Sequence, residues 1–437
     1  MNKLLTSVSV MVLTAGGATA GGLDRTGQPI QALFEAGGES GGYAELAFGR
    51  TIPRVSGEGV GIGAVGLPAG TKYDSVAESF NSVGGAVKMN FSDQWSGALI
   101  YDQSYGSDVV YPGDMASTEL GGTSAIADGD SLTAYLRYKF NDRWSAHGGL
   151  RLQRIKGDIG LSGLAYGLPE ATAQAAFAAN MSAAQAAAAA GDLAAAAEFQ
   201  AAATTAAGTV NGYSVTLEDS TALGWVIGGA YEIPEIAARV SLTYNSEISH
   251  NVKMKESGPD VIVGVDPTTG APIIVPALDG EDDVEVKSPQ SVNLEFRTGI
   301  AADTLLFGSI RWVDWSEFRI DPTNFTNYTG GGLVDLEDTT TYALGLGRRF
   351  NEQWAGSFAV SYEAAGDNLV SPLAPSTGLW ALAIGASYTV DAFSITGGVR
   401  HTWLGDAKPE TGTPDVARAN FEGNNATSFG IRVGYNF

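Results

Sequence analysis

Thr427-Ser428-Phe429-Gly430-Ile431-Arg432-Val433-Gly434-Tyr435-Asn436-Phe437 closes the chain. Thr427, Phe429, Ile431, Val433, Tyr435 and Phe437 alternate with Ser428, Gly430, Arg432, Gly434 and Asn436. Successive side chains of a strand point to opposite faces, so one face here is aliphatic and aromatic and the other small or polar. A strand between lipid and a polar lumen needs this pattern, and a half-buried strand of a soluble sheet gives it too. The number of such segments and the way they are punctuated decide between the two.

Three turns share one form: Phe91-Ser92-Asp93-Gln94-Trp95, Phe140-Asn141-Asp142-Arg143-Trp144 and Phe350-Asn351-Glu352-Gln353-Trp354. Asp and Asn suit tight reversals because their side chains bond nearby backbone. The flanking Phe and Trp fit an aromatic girdle at one membrane interface. Shorter reversals stand at Pro234-Glu235, Ala301-Ala302-Asp303 and Asp391-Ala392. Between them alternation marks fourteen segments: 43–56, 79–91, 95–106, 130–140, 144–159, 213–231, 237–254, 286–299, 304–320, 337–350, 354–364, 376–390, 393–404 and 423–437. Long connections near 57–78, 107–129, 160–212, 255–285, 321–336, 365–375 and 405–422 alternate with the short ones. An even strand count with short turns on one side and long loops on the other predicts an all-β, 14-stranded antiparallel transmembrane β-barrel. A secreted sandwich or propeller explains neither feature.

Composition agrees. The 437 residues include 58 Gly, 16 Tyr, 17 Phe and 8 Trp, but only 17% charged residues. The charged share of ordinary soluble domains is about 25%. A net charge of -23 excludes a nucleic-acid partner, because a polyanion needs a basic surface. With no Cys and three scattered His, neither disulfides nor a thiolate or His metal site is expected, and no cofactor is called for. Lys3, the apolar run Leu4–Leu13 and Ala18-Thr19-Ala20 read as a signal peptide over 1–20. No later run of 18 apolar residues exists to make a membrane helix. Residues 21–42 read as a short N-terminal plug with Leu33 and Phe34 as apolar contacts, and 43–437 as the barrel. Twenty-two of the 37 residues 171–207 are Ala, which predicts one or two helices, broken near Gly191-Asp192, in an external loop.

Alternation also places the charges. If Leu132, Leu136 and Tyr138 face lipid, Arg137 and Lys139 face the lumen. Parity likewise puts Arg151, Glu295, Arg297, Arg311, Arg349, Glu363, Arg400 and Arg432 inside. A lipid-facing Arg near the midplane costs about 2–4 kcal/mol. Such charges either brace the wall as ion pairs or meet a carboxylate substrate. Leu33, Phe34, Arg297, Arg311, Arg349, Arg400 and Arg432 are the candidate substrate-binding residues. The acidic loop clusters, such as Asp279 and Glu281 to Asp283, match no dedicated calcium loop.

The chain resembles the FadL-type long-chain fatty acid transporters of the Gram-negative outer membrane, a group that includes aromatic-hydrocarbon transporters. Three stretches carry the resemblance: Gly42-Tyr43-Ala44-Glu45-Leu46-Ala47-Phe48-Gly49 with Pro53; Ser288-Pro289-Gln290 with Trp312-Val313-Asp314-Trp315-Ser316-Glu317-Phe318; and the closing strand, whose terminal Phe437 looks like a barrel-assembly signal. The resemblance implies passive uptake of long-chain fatty acids or other hydrophobic small molecules. Ligand is caught among external loops, held in a pocket within the barrel and released through a lateral gap as a plug shifts. It also implies a monomer among outer-membrane lipid and lipopolysaccharide, inserted by the barrel-assembly machinery. The Asn-Pro-Ala turn of typical plugs is missing before Gly42. The alternatives are a weakly selective diffusion porin and an outer-membrane enzyme. The enzyme reading lacks a base beside a nucleophile, since neither His147 nor His401 shares a motif with a Ser.

Overall fold

The computed structural model describes residues 23–25, 30–167, 170–207, 210–266, 271–367, 369–411 and 416–437, so the signal-peptide reading of 1–20 lies outside the described residues. Fourteen antiparallel strands form the wall: β1 (Gly42–Arg54), β2 (Phe80–Asn90), β3 (Trp95–Val110), β4 (Ser124–Lys139), β5 (Trp144–Leu161), β6 (Tyr213–Ile233), β7 (Ala238–Asn245 continued by Ile248–Ser257), β8 (Gly280–Ser288 continued by Ser291–Ala301), β9 (Thr304–Val313), β10 (Thr339–Arg349), β11 (Trp354–Glu363), β12 (Thr377–Val390), β13 (Phe393–Gly405) and β14 (Asn425–Asn436). Each pairs with its sequence neighbours, and β1 pairs with β14 in the register Phe48↔Ile431, which closes the sheet and removes its edges.

The turn chemistry works as the residue types require. Asn351 Oδ1 accepts the backbone N–H of Gln353 (2.9 Å) and Trp354 (2.8 Å), and Asn141 Oδ1 does the same for Arg143 (2.8 Å) and Trp144 (2.9 Å). In the first turn Ser92 Oγ takes the N–H of Trp95 at 3.1 Å. At the tightest reversals Asp303 and Asp391 adopt φ of 56° and 50°, which short polar side chains tolerate.

Outward residues draw the membrane band. One aromatic row sits at the turns, with ring pairs Trp95–Tyr138 (4.7 Å), Trp144–Tyr231 (4.6 Å), Trp354–Tyr388 (4.9 Å) and Phe393–Tyr435 (4.6 Å). A second row carries Tyr362–Trp380 (4.5 Å) and Trp225–Tyr244 (5.2 Å). From Trp354 to Tyr362 a strand tilted by about 40° climbs roughly 20 Å, close to the ~25 Å apolar height of such barrels. Leu99, Leu150, Leu242, Leu344, Phe358 and Ile384 fill the band and are exposed on the outer face.

Strands β4 to β8 continue past the second row, and their outer faces turn charged. Asp128–Lys156 (3.3 Å), Arg154–Asp219 (2.8 Å) and Lys287–Glu247 (3.5 Å) form ion pairs there, as do Glu218–Lys255 and Glu281–Lys253. These half-exposed pairs belong to a wall standing in water above the lipid, which accounts for strands longer than a membrane crossing needs.

The fourteen strand readings all match. The boundaries differ where the wall rises above the lipid, since β4 and β8 each begin six residues before the expected 130 and 286 and β3 runs past 106 to Val110, and they differ at β9, expected to reach residue 320 but ending at Val313. There Asp314 is held by Gln290, which receives its N–H at 3.1 Å and donates Nε2 to Oδ2 at 2.7 Å, and Trp315 turns inward against Tyr105 (5.4 Å). Helices α1 (Glu170–Ala189) and α2 (Leu193–Ala207) form an antiparallel pair between β5 and β6, and α3 (Thr323–Thr329) follows β9.

Candidate lumenal site

Three layers fill the barrel. At the turn end, Ile30–Phe34 makes one 3-10 turn inside the lumen, with Leu33 fully buried. It packs on inward Ala86, Ala98, Ile100 and Ala230. The Phe34 ring lies between two guanidinium groups, Arg239 at 4.1 Å and Arg137 at 4.4 Å, and meets the His147 ring edge-on at 5.8 Å. Cations over an aromatic face are attracted by its quadrupole, more strongly when desolvated. Arg137 is itself fixed by Ser145 Oγ (3.1 Å) and by an ion pair with Glu232. Room for His147 exists because residue 228 is Gly: a Cβ there would stand 2.3 Å from His147 Nε2.

The middle layer is polar. Arg311 of β9 donates Nε to Asp24 Oδ2 at 2.7 Å and Nη1 to Asn293 Oδ1 (2.8 Å) and Ser291 Oγ (3.2 Å). Arg151 Nη2 donates to Ser104 Oγ at 2.6 Å. Nearer the turn end, beside Tyr43 of the bottom cluster, Arg432 lies 3.8 Å from Glu45, which also accepts the Tyr43 hydroxyl at 2.6 Å. A cavity of about 170 Å³ opens in the middle layer among Asp102, Tyr135, Arg151, Glu295 and Arg311. Arg297 stands beside Glu295 in the same electrostatic group as Arg239, and Arg400 faces the lumen from β13.

Above it lies an apolar roof, built by the upper strands together with the external loops: Val55, Tyr73, Leu120, Leu278, Phe325 and Phe421 among others. Tyr73, Tyr111 and Phe421 form a ring cluster with centroids 5.7 to 6.2 Å apart. Burial pushes the pKa of the Tyr73 and Tyr111 hydroxyls up, so both stay neutral within it.

The wall has a gap. The ladder between β2 and β3 runs only from Asn90↔Ser96 to Gly85↔Tyr101, leaving Phe80–Gly84 of β2 unpaired on that side. The N-terminal segment takes up the freed edge of β3. Gly106 N–H donates to Leu23 O (3.0 Å) and Arg25 N–H to Ser104 O (2.9 Å), around the bridge Asp24↔Tyr105. Arg25 then pairs with Asp108 at 3.0 Å and covers the Phe80 ring at 3.7 Å. A pocket of about 280 Å³ remains there, lined by Arg25, Ser82, Gln103, Tyr105 and Asp128 among others.

Of the sequence-named residues, Leu33 and Phe34 stand together in the bottom layer, with Arg297 in register with Arg239 and Arg432 beside Glu45 toward the same end, while Arg311 and Arg400 line the middle. Arg349 sits apart at the turn end, where Asp303 holds its Nε at 2.9 Å. Sequence reasoning did not single out Asp24, Arg25 or Arg239. No local pattern marks an acid whose partner is 287 positions away. Among the described residues no group of acids and histidines is arranged to hold a metal ion.

A closed, internally filled barrel with an apolar entrance and an interrupted wall defines a membrane-embedded transporter of poorly soluble molecules rather than an open sieve. Comparison with known proteins makes the class specific. The family model "Outer membrane protein transport protein (OMPP1/FadL/TodX)" matches residues 61–437, and the chain belongs to this family of outer-membrane barrels. By sequence alone no curated protein matches. Among solved structures, a Pseudomonas aeruginosa FadL homologue superposes with a TM-score of 0.65 at 16% identity, covering 97% of this chain and 98% of its own. The Pseudomonas putida toluene transporter TodX gives 0.57 at 13% identity, covering 96% and 98%. The Ralstonia pickettii toluene transporter TbuX gives 0.54 at 11%, covering 98% and 100%. At these identities the likeness shows the shared fold. The family is one of transporters rather than enzymes.

Proposed function

We propose that the protein carries long-chain fatty acids or similar hydrophobic compounds passively across a Gram-negative outer membrane. Ligand partitions into the apolar roof, descends past the polar layer and leaves sideways between β2 and β3 when Leu23–Arg25 withdraws. In this reading residues 1–20 are a removed export signal, 21–42 a short hatch and α1–α2 part of an external loop. The protein acts as a monomer among lipid and lipopolysaccharide after insertion by the barrel-assembly machinery. The observation that carries it is the unpaired upper half of β2, with the N-terminal segment bonded to β3 in its place. A wall edge closed by three residues can be reopened by moving those residues, whereas breaking a strand–strand ladder cannot be so local. An apolar tail also gains nothing from a water-filled channel but does gain from a side exit into lipid.

The chain has no Cys, so a lock can be added cleanly. Asp24 and Tyr105 are a non-hydrogen-bonded antiparallel pair, a position where Cα atoms stand about 4.5 Å apart, within disulfide range. Oxidised Asp24→Cys/Tyr105→Cys protein is expected to abolish labelled-oleate uptake by cells, and a reductant to restore it. Uptake that is equal in the oxidised and reduced states rules out this exit.

A further inference from the structure

The polar layer contains one guanidinium whose best carboxylate-binding edge is unused. Arg400 is 7% exposed and points inward from β13. Its Nε and Nη2, both buried, have no hydrogen-bond partner among the described residues. These two nitrogens form the side of the planar group whose parallel N–H bonds match the two oxygens of a carboxylate. Among the described residues no other arginine has both of these nitrogens buried and without a hydrogen-bond partner. Arg137 gives Nε to Ser145 and Nη2 to Glu232; Arg349 gives both to Asp303; Arg311 gives Nε to Asp24. Arg25, Arg151 and Arg297 lack a partner at Nε alone. Glu363 is the carboxylate whose field reaches Arg400, but it accepts Thr341 Oγ1 at 2.6 Å and leaves Nε and Nη2 unused.

The surroundings suit a head and a tail. Arg400 is in register with Ala383 and Ser428. Toward the external end, the next inward positions are Thr402 with Ala381, then Leu404 with Leu379. Ala381, Leu404 and Leu379 belong to the apolar roof. A buried donor edge without an acceptor is costly and most of all so when charged, which makes an arriving anion the natural complement.

We infer that the Nε–Nη2 edge of Arg400 seats the carboxylate of an amphipathic ligand whose hydrocarbon tail lies upward along Ala381, Leu379 and Leu404. The transported class is then long-chain carboxylic acids rather than neutral hydrocarbons. This rests on the transport reading above and narrows its substrate.

Palmitate and methyl palmitate share a tail and differ in whether the head can accept both N–H bonds as an anion. Each is titrated against a fluorescent fatty acid bound to the purified full-length protein in detergent, and hexadecane and oleate uptake are followed in cells. The wild type is expected to prefer the acid by at least about tenfold, since a charge-assisted bond contributes more than a neutral one. Arg400→Gln is expected to erase that preference while ester affinity stays within about twofold. Arg400→Lys, which keeps the charge but not the fork, falls between them and carries the test if the Gln variant does not fold. Arg154→Gln, on the outer wall, serves as the unchanged control. Equal affinity of acid and ester for the wild type, or a preference that survives at position 400, overturns the inference and leaves the transport reading standing. If the wild type takes up neither oleate nor hexadecane, the transport reading falls, and this inference with it.

Discussion

Asp24 and Arg311 meet at 2.7 Å across the lumen, Asp24 5% and Arg311 19% exposed at their side chains, and so tie the N-terminal segment directly to β9. Removing one partner of a buried ion pair is expensive, about 3–5 kcal/mol, because the other charge stays behind undersolvated. Here Asn293 and Ser291 still satisfy Arg311, so the penalty in Asp24→Asn falls on the seated hatch more than on the barrel. Even ~1.4 kcal/mol of weakening raises the population of the withdrawn segment tenfold. We therefore expect Asp24→Asn to speed oleate uptake and expose residues near Leu23 to protease in detergent, with the heat-resistant barrel band on gels unchanged. Slower uptake with an intact barrel would show that the pair assembles the pathway instead of closing it. The same residue shows where sequence reading stops. Alternation supplied the inward direction of Arg311, Arg400 and Arg432, because parity is a property of each strand alone. It carried nothing about which acid each would meet, since Asp24 lies outside the strand pattern altogether.

At the scale of elements, the readable features were those with local causes. All fourteen strands were legible because lipid on one face and a polar interior on the other impose a period of two, and because the Phe-x-x-x-Trp turns repeat. The helices of the Ala-rich segment follow from propensity, and its break at Gly191-Asp192 coincides with the end of α1 and the start of α2. The end of β9 was not readable. The segment after Val313 is still rich in aromatic residues, and the contact of Asp314 with Gln290, between the two stretches of β8, is a relation between distant residues that marks where the ladder gives way to the turn at Trp315–Glu317. The gap between β2 and β3 was equally hidden: both segments look like full strands, and the missing ladder is a relation between them. The turns offer a quantitative check. Asn351 accepts two backbone N–H groups in a reversal that joins β10 to β11. Loss of a capping acceptor of this kind costs about 1 kcal/mol. Asn351→Ala should lower the denaturation midpoint in urea by a corresponding small amount, with uptake unaffected. A drop several times larger would mean that this turn directs insertion rather than trimming stability.

For the whole molecule the decisive contrast is between a filled and an open lumen. A weakly selective porin keeps a water column through its centre, and ions follow it. In this barrel the column is interrupted twice: Phe34 is clamped between Arg137 and Arg239 at the turn end, and the roof of Tyr73, Tyr111, Leu120 and Phe421 covers the external end. The interior between them holds ion pairs around a cavity of about 170 Å³, too small to be a channel in itself. The two interruptions are independent, so opening one leaves the other. Reconstituted wild-type protein should therefore show no steady conductance in planar bilayers at physiological salt, and Phe34→Ala alone should add only brief events. Phe34→Ala combined with removal of the Tyr73 and Phe421 rings should raise the open time well beyond the sum of the single variants, as two seals in series demand. A large, stable conductance from the wild type would place the protein among diffusion pores, and would leave the roof without the role that its apolar composition otherwise explains: admitting molecules that water carries poorly while refusing ions.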